Sequence, residues 1–369
     1  MQHPIQRRHL LQAGLATALP MALPLCAQAQ ERRFAPQPNA WRRFELTTTV
    51  QVAEPKGTTQ LWLPVPDLAT DWQRTLDHAW QGNATQAKLV ADPRQGVRML
   101  YAEFAPGITA PTISLTSVVE TRNRTIDWKD KSAAQEDPAV LKADIGPTEL
   151  QPVDGIVRQT ALAATRGART DVQKVRALYD WVVANAHREP KTRGCGTGDI
   201  KAMLETGNLS GKCADLNALF VGLCRAVGVP ARDVYGIRVA PSAFGYKELG
   251  ANSASLKGAQ HCRAEVYLAG HGWVAMDPAD VLKVMRQETA EWIKDPRHSV
   301  VAPVNAGLFG HWEGNWVGWN TAHDIRLPGS AAASTLPFLM YPNGESASGQ
   351  FDSLSPDTFK YTIAAREVA

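Results

Sequence analysis

The stretch Gly211-Lys212-Cys213-Ala214-Asp215-Leu216-Asn217 opens a run whose apolar residues, Leu216, Leu219, Phe220, Leu223 and Val227, recur at helical spacing. The spacing predicts an amphipathic helix with one buried face. Gly228 ends it and Pro230 keeps it from resuming. Cys213 then sits where unpaired backbone N–H groups and the positive end of the helix dipole converge, a place that favours the thiolate over the thiol. Downstream, His261 opens a strand-like run, His261-Cys262-Arg263-Ala264-Glu265-Val266-Tyr267-Leu268. A second run, Gly272-Trp273-Val274-Ala275-Met276, ends in Asp277-Pro278. A cysteine on a helix, a histidine on a strand and an aspartate at the end of the next strand suit nucleophilic catalysis.

These residues also carry a resemblance. The segment Gly211–Val239, with its G-x-C at a helix start and the later Gly228-Val229-Pro230-Ala231-Arg232, resembles the core of the transglutaminase-like superfamily. So do His261–Tyr267 (H-x-x-x-E-V-Y) and Gly272–Pro278 (G-W-x-x-x-D-P). The match spans roughly the middle third of the chain, in order, which is far more specific than a lone motif. The resemblance implies an α+β, papain-like core in which a helix-borne cysteine packs on an antiparallel sheet, with a Cys213-His261-Asp277 triad. Bacterial members of the family include peptidases, amidases and transferases, so the resemblance bears on chemistry more than on substrate.

The first 29 residues read as an export signal rather than as fold. Arg7-Arg8 precedes a mildly apolar run from Leu10 to Leu25, and Ala27-Gln28-Ala29 is a small-x-small cleavage site. Paired arginines before Leu10-Leu11, with Gly14, Pro20 and Pro24 weakening the apolar run, resemble a twin-arginine signal. An ordinary secretory signal whose arginines supply only charge is the alternative. Cys26 follows Leu25, which is too bulky for a lipoprotein site. The expected location is therefore periplasmic or secreted, with no stable membrane insertion after cleavage. Losing residues 1–29 lowers the formal net charge from +3 to +1, which argues against a nucleic-acid partner.

Residues 40–125 alternate as strands do: Phe44, Leu46, Thr48, Val50 and Val52; Leu61, Leu63 and Val65; Val97, Met99 and Tyr101; Ile113, Leu115, Ser117 and Val119. Turn residues at 54–57, 92–96 and 105–107 separate them, and the pattern suggests a small β-sandwich. Residues 126–150 are polar and irregular and read as a linker. Residues 151–290 form the expected catalytic core, with Thr170 and Gln173 as a capping box ahead of a helical apolar face. Residues 291–369 are expected to elaborate that core. Within them, Phe309, Trp312, Trp316 and Trp319 read as a hairpin packed on the core in preference to a sugar-stacking platform, and 338–341 and 359–363 as closing strands.

Arg193-Gly194-Cys195-Gly196-Thr197-Gly198-Asp199 is glycine-rich, but no leading strand or following Lys-Ser/Thr pair supports a phosphate cradle. A loop near the site is the better reading. Cys213 and Cys224 lie on one helix about 16 Å apart in rise and cannot bond. A Cys195–Cys262 disulfide would tie the loop to the histidine strand; buried apolar filling by Cys224 and Cys262 is the alternative. No C-x-x-C pair or acidic calcium loop occurs, so no metal and no cofactor is expected.

The chemistry assigns Cys213 as nucleophile, His261 as proton carrier and Asp277 as its orienting carboxylate. The Cys213 N–H would stabilise an oxyanion, with Asn208 as candidate second donor. Asp215 suits the first helical turn without catalytic duty, and a buried ion pair accounts for Arg232 and Glu265. The resulting expectation is an exported cysteine hydrolase, a peptidase or amidase, acting on a protein or peptide substrate, cell-wall peptides included. A protein-glutamine crosslinking transglutaminase and a silent binding scaffold are the alternatives.

Overall fold

The computed structural model describes residues 32–332 and 334–368 together with Met1; the expected export signal, residues 1–29, lies almost wholly outside them. Six strands come first: β1 (Arg42–Gln51), β2 (Thr59–Pro64), β3 (Gln73–Gly82), β4 (Gln86–Ala91), β5 (Arg98–Phe104) and β6 (Thr112–Thr121). Then follow α1 (Pro138–Ala143), α2 (Gly155–Ala164), α3 (Asp171–Asn185), β7 (His187–Arg188), α4 (Ile200–Thr206), β8 (Ser210–Gly211) and α5 (Cys213–Ala226). The chain continues through β9 (Ala231–Arg238), β10 (Gln260–Leu268), β11 (Gly272–Met276), α6 (Pro278–Gln287), α7 (Ala302–Gly307), β12 (Phe309–Gly310) and β13 (Trp316–Asn320). It closes with β14 (Asn343–Ser346), β15 (Gly349–Gln350) and β16 (Tyr361–Val368).

The strand-rich N-terminal region forms two antiparallel sheets, β16-β1-β6-β3 and β15-β14-β2-β5-β4. In β1 and β6 the residues picked by period-two alternation, Phe44, Leu46, Thr48, Val50, Ile113, Leu115, Ser117 and Val119, are all buried. β5 departs from that pattern because both of its faces are covered. Leu100, Ala102 and Phe104 join the main core, while Val97, Met99 and Tyr101 form a second cluster with Trp62, Ile325 and Leu339.

The two sheets are not built from residues 40–125 alone. β16 pairs with β1 from Arg43↔Val368 to Val50↔Tyr361, and β14 pairs with β2 from Asn343↔Trp62 to Glu345↔Gln60. Strands β14, β15 and β16 therefore complete the N-terminal sheets and not the catalytic sheet. The physical reason is edge satisfaction, since β1 and β2 would otherwise expose unpaired N–H and C=O groups. Residues 338–341 form no strand. Of the C-terminal stretch, β12 and β13 do join the catalytic sheet, as its two edges.

That sheet has the order β12-β11-β10-β9-β13, all neighbours antiparallel. α5 lies on β9 and β10, with α2, α3, α4 and α6 packed around it. All fourteen residues of α5 are buried, so the single buried face expected from its periodicity is an underestimate. Leu216, Leu219, Phe220 and Leu223 are wholly enclosed, roughly 1.5–3 kcal/mol of apolar burial each. Gly222 allows the closest approach: a Cβ there would meet Ile200 Cδ1 at 2.2 Å. Residues 126–150 cross between the regions while packed on this sheet. Trp128 stacks on Phe309 with centroids 5.4 Å apart, and Trp273 Nε1 donates to Glu136 Oε2 at 2.8 Å.

Candidate active site

Cys213 is the first residue of α5, where the helix leaves its leading N–H groups without intrahelical acceptors. His261 is the second residue of β10, and Asp277 follows β11 as the N-cap of α6. The three are brought together: His261 Nε2 lies 2.7 Å from Asp277 Oδ2, and Cys213 and His261 line one cleft. With Nε2 engaged, Nδ1 is the ring nitrogen left to face the thiol.

Burial and the adjacent Arg238 guanidinium would lower the His261 imidazolium, but Asp280 and Asp277 outweigh them and raise it to about 9. Burial would likewise raise the Cys213 thiol. The neighbouring Cys195 and Cys262 thiols, then His261 and its charge, outweigh burial and bring it well below an ordinary thiol. Both shifts move the pair toward thiolate and imidazolium.

A buried frame holds this pair. Asn217, one turn after Cys213 on α5, donates to Cys262 O at 2.8 Å and to Asp277 Oδ1 at 3.2 Å, and its own oxygen accepts from Ala279 N. Asp277 Oδ1 also accepts from Asp280 N at 3.0 Å, the helix cap of α6. Trp316 Nε1 donates to His261 O at 3.1 Å, and Trp312 Nε1 to Met276 O at 3.2 Å. Phe309, Trp312, Trp316 and Trp319 are all buried, so this run is core, not a sugar platform; it is not the expected hairpin, because β12 and β13 sit at opposite edges of the sheet instead of pairing with each other.

Asp280 is a residue that sequence reasoning missed. Its Oδ2 lies 3.3 Å from His261 Nε2, while Oδ1 is ion-paired with Arg238. An acid three residues after an N-cap reads in sequence only as a helix-start preference. His261, Asp277 and Asp280 bring ligand-type atoms within 4.8 Å of one another. Arg238, paired with Asp280, and Arg263, 3.8 Å from Asp277, already supply the positive charge a divalent cation would bring. The donor set fits an ion-pair network better than a metal centre.

Two expectations about the site need correction. Asn208 is exposed and does not line the cleft; its Oδ1 accepts from Ser210 N at 3.3 Å and Ser210 Oγ at 2.6 Å. The αL turn at Gly207 that ends α4 turns the asparagine outward, so nearness in sequence did not translate into nearness in space. Cys195 and Cys262 are free thiols, not a disulfide. Cys195 Sγ donates to Gln260 O at 3.4 Å, and Cys262 Sγ contacts Met340 Sδ at 3.9 Å.

The glycine-rich loop is clamped rather than open. Asp215 accepts from Thr197 N at 2.9 Å, Gly198 N at 3.0 Å and Lys212 N at 3.0 Å. Those N–H groups serve a carboxylate of this chain, which leaves no phosphate cradle. Gly196 has φ +95°, and a Cβ there would lie 1.8 Å from Asp215 Oδ2, so the close approach requires glycine. Glu265 is buried between Arg124 and Arg232, the latter at 2.7 Å.

The cleft has a volume of about 240 Å³. Tyr341, Leu354, Pro356 and Tyr361, all from the C-terminal segment, complete its wall, a contribution with no local sequence signal. A second hollow of about 680 Å³ shares Lys257, Gly258, Gln260, Pro356 and Tyr361 with it and extends along β16.

Comparison with known proteins gives three findings. The core model of the transglutaminase-like superfamily matches residues 158–278. An uncharacterized protein of Haemophilus influenzae is 32% identical over 342 residues, covering 88% of this chain and 91% of the relative. Among solved structures, a candidate cysteine protease from Cytophaga hutchinsonii has a TM-score of 0.49 at 16% identity, covering 89% of this chain and 99% of its own. The periplasmic domain of TgpA from Pseudomonas aeruginosa has a TM-score of 0.35 at 16% identity, covering 70% and 96%.

Proposed function

This chain belongs to the transglutaminase-like superfamily, and we propose that it is a cysteine-dependent acyl-transfer enzyme, a peptidase or amidase using Cys213, His261 and Asp277. The observation that carries this reading is geometric: Cys213 at the start of α5 and His261 line one cleft, and His261 Nε2 lies 2.7 Å from Asp277 Oδ2 and 3.3 Å from Asp280 Oδ2. The buried carboxylates hold His261 up, and Cys213 is held below an ordinary thiol.

In this reading the Cys213 thiolate attacks an amide carbon, and the developing oxyanion takes the Cys213 backbone N–H. The His261 imidazolium gives its Nδ1 proton to the leaving nitrogen as the C–N bond breaks, leaving a thioester on Cys213. Neutral His261 then takes a proton from water as hydroxide attacks the thioester. The C–S bond breaks, and thiolate and imidazolium are restored. Asp277 and Asp280 stabilise the imidazolium throughout. The hollow along β16, which shares lining residues with the cleft, is where the rest of a peptide substrate would lie. Export and a periplasmic or secreted location belong to the same proposal. No described helix is long and apolar enough to cross a membrane, and the N-terminal residue of protein recovered from cells should follow Ala29.

The test is acyl-enzyme capture. A peptide library incubated with the protein and hydroxylamine should give hydroxamates, together with an acyl adduct on Cys213 by mass spectrometry, and Cys213→Ala should give neither. Parallel reactions with methylamine separate the chemistries: free acid as the main product means hydrolysis, whereas predominant methylamide means transamidation. Absence of any adduct across the library, from protein whose Cys213 is reactive, would contradict the enzymatic reading.

A further inference from the structure

Apart from the nucleophile itself, the charged side chains around Cys213 are basic. Arg188, Lys212, Arg238, Lys257 and Lys283 all line the cleft, and among the described residues no carboxylate does. The protein as a whole is close to neutral, at a formal net charge of +3, so this concentration is local. Three of the cations are neutralised by the fold. Arg238 is ion-paired with Asp280, Lys257 with Asp357 at 2.6 Å, and Lys283 with Glu248 at 3.2 Å.

Arg188 and Lys212 are different. Among the described residues neither forms a salt bridge. Arg188 Nε donates only to the neutral Gln287 Oε1, at 3.0 Å. Among the described residues the Lys212 ammonium has no hydrogen-bond acceptor, and burial and then the Arg188 charge lower it. Glu189 Oε1 accepts from Lys191 N and Asp215 from three backbone N–H groups; the Glu189 charge favours the Lys212 ammonium but does not outweigh burial and Arg188. The two cations come from adjacent pieces of backbone, because β7 pairs in parallel with β8 at Arg188↔Gly211, immediately before Lys212. The Cys213 thiolate and Glu189 offset the repulsion between these two half-buried cations only in part, and an added anion would relieve the rest.

We infer that Arg188 and Lys212 form a carboxylate-binding subsite beside the nucleophile, so that the preferred substrate is an acidic peptide with its carboxylate next to the scissile amide. A guanidinium fork and an ammonium converging on one opening match a carboxylate, and a peptide is where an amide-cleaving site meets one. The source is either an acidic side chain or a chain-terminal carboxylate. This inference rests on the enzymatic reading of Cys213, and it fails separately from it.

The test uses two alkylating agents of similar size and opposite character, anionic iodoacetate and neutral iodoacetamide. The readout is the ratio of their rates at Cys213, in which changes in thiol ionisation cancel. The intact subsite should raise that ratio roughly tenfold or more over the Arg188→Gln/Lys212→Met double variant, as one-signed clefts do for charged reagents. Lys212→Glu provides a second, charge-reversed variant should the first fold poorly, and its ratio should fall further. A ratio unchanged in both variants would overturn the inference. Slow iodoacetamide labelling of the wild type would instead undermine the nucleophile itself.

Protection of Cys213 from iodoacetamide then identifies the source. Three blocked tripeptides would be compared, with a side-chain carboxylate, a C-terminal carboxylate, or neither. Selective protection by one charged peptide supports the subsite and names its ligand. Equal protection by the neutral peptide contradicts it.

Discussion

His261 Nε2 stands between two carboxylates, 2.7 Å from Asp277 Oδ2 and 3.3 Å from Asp280 Oδ2, with both acids buried. A single orienting acid would suffice to fix the imidazole tautomer. The second changes what loss of the first should do. Asp277→Asn removes one charge from a nitrogen that still faces Asp280. Turnover should therefore fall by on the order of 10²-fold, less than the roughly 10⁴-fold expected where no second acid exists. The imidazolium loses stabilisation, so the alkaline limb of the pH–rate profile should move down from about 9. The profile of kcat/KM for the variant checks both statements.

Thiol reactivity should discriminate sharply among four buried cysteines. Cys213 is held below the ordinary thiol range, whereas burial pushes Cys224 up, and contact with Cys213 and burial push Cys195 and Cys262 up. Native protein treated with iodoacetamide at pH 6 should carry one label, on Cys213. Unfolding should expose all four thiols without reductant, since none is bridged. Peptide mapping reads both results.

Glu265 should matter for stability and not for chemistry. It bridges Arg124, which leads out of β6, to Arg232 on β9 and so ties the crossing segment to the catalytic sheet. Burial would raise its carboxyl, but Arg124 and Arg232 outweigh burial and lower it. Its contribution is therefore present above the usual carboxylate range and lost as pH falls through the lowered value. Glu265→Gln leaves two guanidinium groups short of a counter-charge and should cost about 3–5 kcal/mol in denaturant unfolding. The deficit should shrink below pH 4, and the folded fraction should keep the Cys213 labelling rate.

Gly196→Ala should damage the site from behind. The new Cβ would sit 1.8 Å from Asp215 Oδ2 in a backbone conformation, φ +95°, that alanine resists. Asp215 must then release Thr197, Gly198 or Lys212. Since Cys195 O accepts from Ala214 N at 2.9 Å, the start of α5 would shift with the loop. Loss of roughly 2–4 kcal/mol is expected, along with slower labelling of Cys213 in whatever remains folded. Thermal unfolding and alkylation rates check the pair of effects.

The elements that place the site were legible because their signals are local. The α5 periodicity, the capping box of α3 and the alternation of β1 and β6 each follow from neighbours a few residues apart. Cys213, His261 and Asp277 could be read from element type and order. What was not legible depends on long-range pairing. Nothing within 361–368 announces β1 as its partner more than 300 residues away, and nothing in Tyr341 announces the cleft. Asn208 misled for the opposite reason, being close in sequence and turned away by the cap at Gly207. Asn217 and Asp280 were visible as residues but not as supports, because their roles need three elements to converge.

The central claim is that Cys213 and His261 form an activated thiolate–imidazolium pair. The most direct test is the rate of Cys213 alkylation by iodoacetamide against pH, on mature protein, beside His261→Ala. The account predicts rapid labelling that persists well below the roughly 8.5 of a free thiol and a variant whose labelling reverts to ordinary thiol behaviour. Slow labelling that rises only near that ordinary value, with no difference between the wild type and His261→Ala, would contradict it.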